Sequence, residues 1–177
     1  KQANFLGAGK LLEEQGRLAE AAEAYLEGHE TWAAASTFEK MGRSERAALR
    51  SYGLNLGLAF QLVDDALDYG GNARDLGKNV GDDFREGKVT LPVILAYRRG
   101  TDNERGFWRG TIEAGEASNE SLEKALGLMT RYGAISDTIQ RARHFGAIAA
   151  DALAPLPASA EKDALLEVIE FCISRVS

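Results

Sequence analysis

The chain has 177 residues, 45% hydrophobic and 27% charged, and 21 basic against 27 acidic side chains leave a net charge of −6. That length suggests one domain with room for a real core, and the acidic balance argues against a general nucleic-acid binder, which needs a basic stripe to displace counterions. Cys172 is the only cysteine, so an internal disulfide is excluded and a reducing, cytoplasmic location is expected. No apolar run approaches the ~18 residues of a membrane span, and no secretory leader is visible. The chain opens on Lys1 rather than Met, which fits a fragment, a processed product or the ordered part of a longer chain.

Nearly every segment reads as helix, because Ala, Leu, Glu and Arg are abundant, prolines number three and alternating strand patterns are missing. Helices are expected over Ala3 to Gln15, Leu18 to Glu27 and Thr31 to Met41, with Gly16, Gly28 and Gly42 as stops. Ser44 is the expected N-cap for a longer helix over Glu45 to Tyr69. A polar loop then runs from Gly70 to about Lys88, and a loop of that length in a compact domain is often functional. Thr90, Leu91 and Pro92 open the next helix, which closes near Gly100. Three more are expected over Asn103 to Ala114, Ser118 to Tyr132 and Ala134 to Leu153. Ser159 is the expected cap of a last helix reaching Arg175. In the opening segment, Gly16-Arg17, Ala21-Ala22 and Tyr25 resemble one tetratricopeptide-like helix pair. The echo at Gly42-Arg43 and Ala47-Ala48 falls 26 residues on, short of the 34 usual for that repeat.

The chemistry lies in the run Phe60-Gln61-Leu62-Val63-Asp64-Asp65-Ala66-Leu67-Asp68. On a helix Asp64 and Asp68 stand one turn apart with Asp65 beside them, and Gln61 lies one turn before Asp65. Three neighbouring carboxylates repel one another, so the cluster gains from a divalent cation, and oxygen donors with room for water and phosphate suit Mg²⁺. A solvated acidic face is the alternative. It fits poorly, because Leu56, Leu58, Ala59, Phe60, Leu62 and Val63 imply a largely buried helix whose acids need partners. The following loop carries the opposite sign in Lys78, Arg85 and Lys88, with Asp82 and Asp83 between, an arrangement able to clamp a diphosphate.

The run GLAFQLVDDALDYGGNARDLGKNVGDDFREGKVTLPVILA resembles the second aspartate-rich segment of trans-prenyl diphosphate synthases, most nearly the longer-chain polyprenyl type. FQ, DDxxD, GK, GDD, EGK and TLP occur in order at that family's spacing, over about Arg46 to Pro92. The resemblance implies an all-α, isoprenoid-synthase-type helical bundle, present here as its C-terminal half. It implies two aspartate-rich helices facing each other across a cavity, Mg²⁺ ions, an allylic diphosphate and isopentenyl diphosphate as substrates, and chain growth by one five-carbon unit. Residues 1–45 are then either tetratricopeptide-like hairpins or degenerate synthase helices, and residues 46–177 the C-terminal portion of the synthase. Carried over by position, Asp64, Asp65 and Asp68 are metal ligands, Gln61 hydrogen-bonds near the substrate, and Lys78 and Lys88 contact diphosphate. Asp82 holds a metal-bound water or orients Lys78, and Asp83 is the second acid of GDD. A homodimer, or pairing with another synthase chain, is expected, with at most peripheral membrane association.

The family's first aspartate-rich motif is missing from these 177 residues, so negligible turnover by the chain alone is expected. Arg98-Arg99-Gly100 imitates that motif's ending without its aspartates and is read as a helix C-terminus. Two other functions fit the pattern: a non-catalytic synthase-like subunit, and a helical-repeat interaction module joined to a truncated synthase domain. His29 and His144 are too isolated for a metal site. Cys172 reads as inert core, and Trp32 and Trp108 as packing residues.

Overall fold

The computed structural model describes residues 4–70, 80–113, 115 and 118–176, and among them every regular element is a helix. In chain order these are α1 (Phe5–Glu14), α2 (Leu18–Glu27), α3 (Thr31–Gly70), α4 (Asp82–Arg85), α5 (Leu91–Arg99), α6 (Asp102–Glu113), α7 (Asn119–Arg131), α8 (Ala134–Ala152) and α9 (Ala160–Ser174). The caps follow the chemistry of their residues. Asn4, Ser118 and Ser159 each accept a hydrogen bond from a backbone N–H in the first turn they precede, which satisfies a donor the helix itself leaves free. Pro92 lies in the first turn of α5, where no N–H is needed.

The expected break at Gly42 does not occur. α3 continues without interruption from Thr31 to Gly70. A glycine inside a helix costs only about 1 kcal/mol relative to alanine, and here the Glu39–Arg43 ion pair at 3.0 Å spans the position. Ser44 is therefore an exposed interior residue of α3 and caps nothing. The expected boundary between residues 45 and 46 lies within this helix.

The chain divides into two compact units, Lys1–Ser51 with Ala152–Pro157, and Tyr52–Asp151 with Ala158–Ser177. In the first, Ala21, Tyr25 and Ala34 form a small core joined by Leu12 and Ala33. Glu13 ties its three helices together. Its carboxylate accepts hydrogen bonds from Thr37 Oγ1 at 2.7 Å, Lys40 Nζ at 3.0 Å and Tyr25 Oη at 3.2 Å, and the Thr37 bond leads in holding its pKa below the usual carboxylate range. His29 takes the left-handed conformation that reverses the chain after α2. Trp32 does not fill a gap. It is 83% exposed, at the outward side of the first turn of α3.

The second unit holds the main core: Tyr69, Phe84, Val93, Ala96, Trp108, Leu122, Ala125, Met129 and Ala134, drawn from α3 to α8. A second cluster joins Val63, Ala142 and Cys172, so α3 rests on α8 and α9 there. Only one face of α3 is covered. Tyr52, Ala59, Val63 and Ala66 recur at helical spacing and are buried, whereas Leu54, Leu58 and Phe60 are 65%, 41% and 51% exposed. The acid-bearing helix is thus half-buried rather than largely buried.

Glu104 braces the far side of this unit. Its carboxylate accepts from the Thr101 backbone N–H at 2.7 Å, Tyr132 Oη at 2.8 Å and Thr101 Oγ1 at 2.9 Å, and pairs with Arg131 at 2.9 Å. These bonds, the Thr101 N–H first, hold its pKa down to about 2 against the ordinary 4.5. A depressed folded pKa contributes stability that is fully present above the unfolded value and is lost as pH falls through the folded one. Glu104→Gln, which keeps an acceptor but removes the charge, is expected to lower the melting temperature at pH 7. The gap from wild type should close between about pH 4.5 and about pH 2, as thermal melts across that range will show.

Arg98-Arg99-Gly100 is a helix end, as read. Arg99 donates to the Tyr132 carbonyl at 2.8 Å and pairs with Asp137. No helix among the described residues is long and apolar enough to cross a membrane.

Candidate functional site

The last two turns of α3 carry Asp64, Asp65 and Asp68, and each meets a different partner. Asp65 is 6% exposed and accepts from Gln61 Nε2 at 2.7 Å, one turn earlier. Asp64 pairs with Arg175 at 3.5 Å. Asp68 faces the start of α4, where its Oδ2 accepts from the Asp83 N–H at 3.2 Å and its carbonyl from the Gly81 N–H at 2.8 Å.

The loop expected between residues 70 and 88 contains α4, and local chemistry explains why four residues suffice. Gly81 enters in the left-handed region at φ 80°, which is free for a glycine and costs a residue with a side chain about 1–2 kcal/mol. Phe84 anchors the turn. It is 1% exposed and meets the Trp108 ring edge-on at 6.2 Å. Arg85 closes it from outside, donating to the Val80 carbonyl at 2.9 Å and to Asp82 at 3.2 Å. Gly87, at φ 71°, ends it. The Gly87 N–H reaches Phe84 O at 3.0 Å and the Lys88 N–H reaches Asp83 O at 2.8 Å, a paired closure that wants a left-handed residue at the second position past the helix. This reversal returns the Lys88 ammonium to Asp83 Oδ1 at 2.9 Å. The EGK triplet is therefore the means by which Lys88 is folded back beside the aspartates.

The electrostatics suit the binding of a cation. The Asp68 carboxyl is pushed up to about 6, first by burial and then by the charge of Asp83. Lys88 is raised, chiefly by its hydrogen bond to Asp83. Behind the site, Thr90 Oγ1 donates to Tyr69 Oη at 3.3 Å, and burial raises the tyrosine hydroxyl well above its usual range. Among the described residues no three acidic, histidine or cysteine side chains converge on one point where an ion could sit. The donors are all oxygens on neighbouring turns, which suits a hard cation whose shell is completed by water and phosphate rather than a site closed by protein alone.

The structure thus pairs Gln61 with Asp65, sets Asp64 against Arg175, and links Asp68 to Lys88 through Asp83. Asp82 turns toward Arg85, 44% exposed, while Asp83 occupies the place between Asp68 and Lys88. Lys78 lies outside the described residues. Sequence reasoning missed Phe84, whose signal is one aromatic inside an otherwise charged run. It also missed Arg175, whose place at the C-cap of a helix is sufficiently explained by the dipole.

A family model for polyprenyl synthetase matches residues 24–129. The octaprenyl diphosphate synthase of Haemophilus influenzae is 41% identical over 132 residues, which are 75% of this chain and 40% of that relative. The crystal structure of a polyprenyl synthase from Caulobacter crescentus, complexed with calcium and isoprenyl diphosphate, superposes with a TM-score of 0.70 at 44% identity, covering 83% of this chain and 44% of that one. A decaprenyl diphosphate synthase from Rhodobacter capsulatus gives a TM-score of 0.71 at 40% identity, covering 82% and 45%. The chain spans about two fifths of the length of the curated relatives it matches. Its all-α architecture is that of the isoprenoid synthases, and with a family model covering more than half of its residues the chain belongs to the polyprenyl synthetase family.

Proposed function

We propose that residues 52–177 form a magnesium–diphosphate half-site of a polyprenyl diphosphate synthase, which joins isopentenyl diphosphate to an allylic diphosphate. The observation that carries this reading is the meeting of the Asp64, Asp65 and Asp68 helix with the α4 turn that presents Asp83 and Lys88. Asp64, Asp65 and Asp68 would hold Mg²⁺. The bound metal would supply Lewis-acid stabilisation of the charge that grows on a departing diphosphate. Gln61 orients Asp65 through its amide. Lys88, already at the carboxylate edge, would add a point charge to the diphosphate, and Lys78 a second. Asp82 holds Arg85 in place and is the outer acid to which a metal-bound water could attach.

Residues 1–45 are proposed as degenerate synthase helices rather than a repeat module, since the family match begins at residue 24. A cytoplasmic homodimer, or pairing with a second synthase chain, is the proposed setting for turnover. Titration calorimetry tests the half-site directly. Inorganic diphosphate should bind the 177-residue chain in the presence of MgCl₂ and not in its absence, and Lys88→Ala should weaken that binding on the order of tenfold, the value of one charged hydrogen bond. Diphosphate binding that ignores Mg²⁺ would refute the reading.

A further inference from the structure

We propose that Arg175 is a binding residue of the half-site, a cation that neutralises Asp64 while no metal is bound and turns to the diphosphate once Mg²⁺ takes the carboxylate. The inference rests on the half-site reading above. Asp64 and Arg175 are 111 residues apart in sequence, yet their side chains meet at 3.5 Å. The packing that brings them together is built around other groups. Tyr52 Oη donates to the Leu165 carbonyl at 3.0 Å at one end of the α3–α9 contact, and Cys172 sits in the Val63 cluster near the other. The end of α9 is thereby delivered to the acid-bearing turn of α3 whether or not the ion pair forms.

The pair itself is loose. At 3.5 Å it is at the limit of a hydrogen bond, and Asp64 is 41% exposed against 26% for Arg175. The guanidinium also lies over the Phe60 ring, with Cζ 5.3 Å from its centroid. An aromatic face holds the plane of the group without consuming its N–H donors, so the fork remains free to take a second acceptor. A planar fork matches phosphate oxygens two at a time, as an ammonium cannot. Lys88 is engaged differently, through a 2.9 Å bond to Asp83. Arg175 is thus held next to the metal-binding carboxylate by stacking and packing, with a weak ionic contact that a divalent ion can displace.

Titration calorimetry on the full 177-residue chain separates this role from a structural brace, because the two halves of the exchange move in opposite directions. With MgCl₂ alone, Arg175→Gln is expected to bind the ion roughly threefold more tightly, since a competing charge beside Asp64 is gone. With inorganic diphosphate at saturating Mg²⁺, the same variant is expected to bind on the order of tenfold more weakly, having lost a charged donor. Arg175→Lys keeps the charge and should leave the Mg²⁺ titration at the wild-type value, with diphosphate binding between the other two. Two results overturn the proposal: both titrations of Arg175→Gln within about twofold of wild type, or both weakened together with a lowered melting temperature, as a brace would give. If the wild-type chain itself binds no Mg²⁺–diphosphate, the half-site reading falls and this inference with it. A wild type that binds, with an indifferent Arg175→Gln, removes the inference alone.

Discussion

Gly81→Ala is expected to cost roughly 2–4 kcal/mol of stability and to abolish Mg²⁺-dependent diphosphate binding, through two separate penalties. The backbone at Gly81 has φ 80°, where an L side chain loses about 1–2 kcal/mol. A β-carbon there would also stand 2.4 Å from a Leu122 methyl. Leu122 is 7% exposed within the main core, so it can yield only by disturbing its neighbours, and overpacking of this kind costs about 1–3 kcal/mol. Function suffers beyond stability, because the Gly81 N–H bonds the Asp68 carbonyl at 2.8 Å and the next two residues are Asp82 and Asp83. Chemical denaturation of Gly81→Ala, Leu122→Ala and the double variant divides the cost. Leu122→Ala removes the clash but not the backbone strain, so the double variant should be about 1–2 kcal/mol more stable than the sum of the singles predicts. Strict additivity would show that the contact contributes nothing.

The residues behind that prediction show what could be read in the chain and what could not. Helix identity and most boundaries were legible, because Ser118, Ser159 and Pro92 act locally: a cap or a first-turn proline works through the next three residues. The stop at Gly42 failed because a helix is ended by the sum of its neighbours' preferences, and the helix formers on either side outweigh one glycine. The aspartates, Gln61, Lys88 and the GDD and EGK triplets were legible as a pattern. Their partners were not. Asp82 and Asp83 look interchangeable in sequence, and only the direction of the α4 turn, set by Phe84 in the core, gives Asp83 to Lys88 and leaves Asp82 to Arg85. The exposed Leu54, Leu58 and Phe60 could not be distinguished from core residues, since composition does not reveal which face of α3 meets α8 and α9. Arg175 was beyond reach for the same reason, a contact across 111 positions that tertiary packing alone creates.

Asp68→Asn is expected to stabilise the metal-free chain while removing its response to Mg²⁺. The wild-type Asp68 carboxyl titrates near 6 when folded against an ordinary 3.8, because burial and Asp83 disfavour its charged form. The folded chain therefore holds more protons than the unfolded chain between those values, and stability falls as pH rises through that window, the deficit being complete above about 6. The residue is partly exposed, so solvent screening trims the effect, and the direction rather than the size is the test. Asparagine keeps an acceptor for the Asp83 N–H and carries no charge, so the variant should melt at nearly constant temperature over the same range and above wild type at pH 7.5. Mg²⁺ reverses the order. A ligand that binds the folded state alone raises the melting temperature. A cation at Asp68 favours the charged carboxylate that burial and Asp83 disfavour, so wild type should gain stability from Mg²⁺ and diphosphate, and more so at pH 7.5 than at pH 5, whereas Asp68→Asn should bind them roughly 10- to 100-fold more weakly. A variant that melts below wild type in EDTA at pH 7.5, or that keeps the wild-type Mg²⁺ response, would show that Asp68 is a structural acid of the α3–α4 junction. In the expected outcome, the half-site keeps a carboxylate that the fold alone would discard, and the strain it introduces is relieved by the ion it binds.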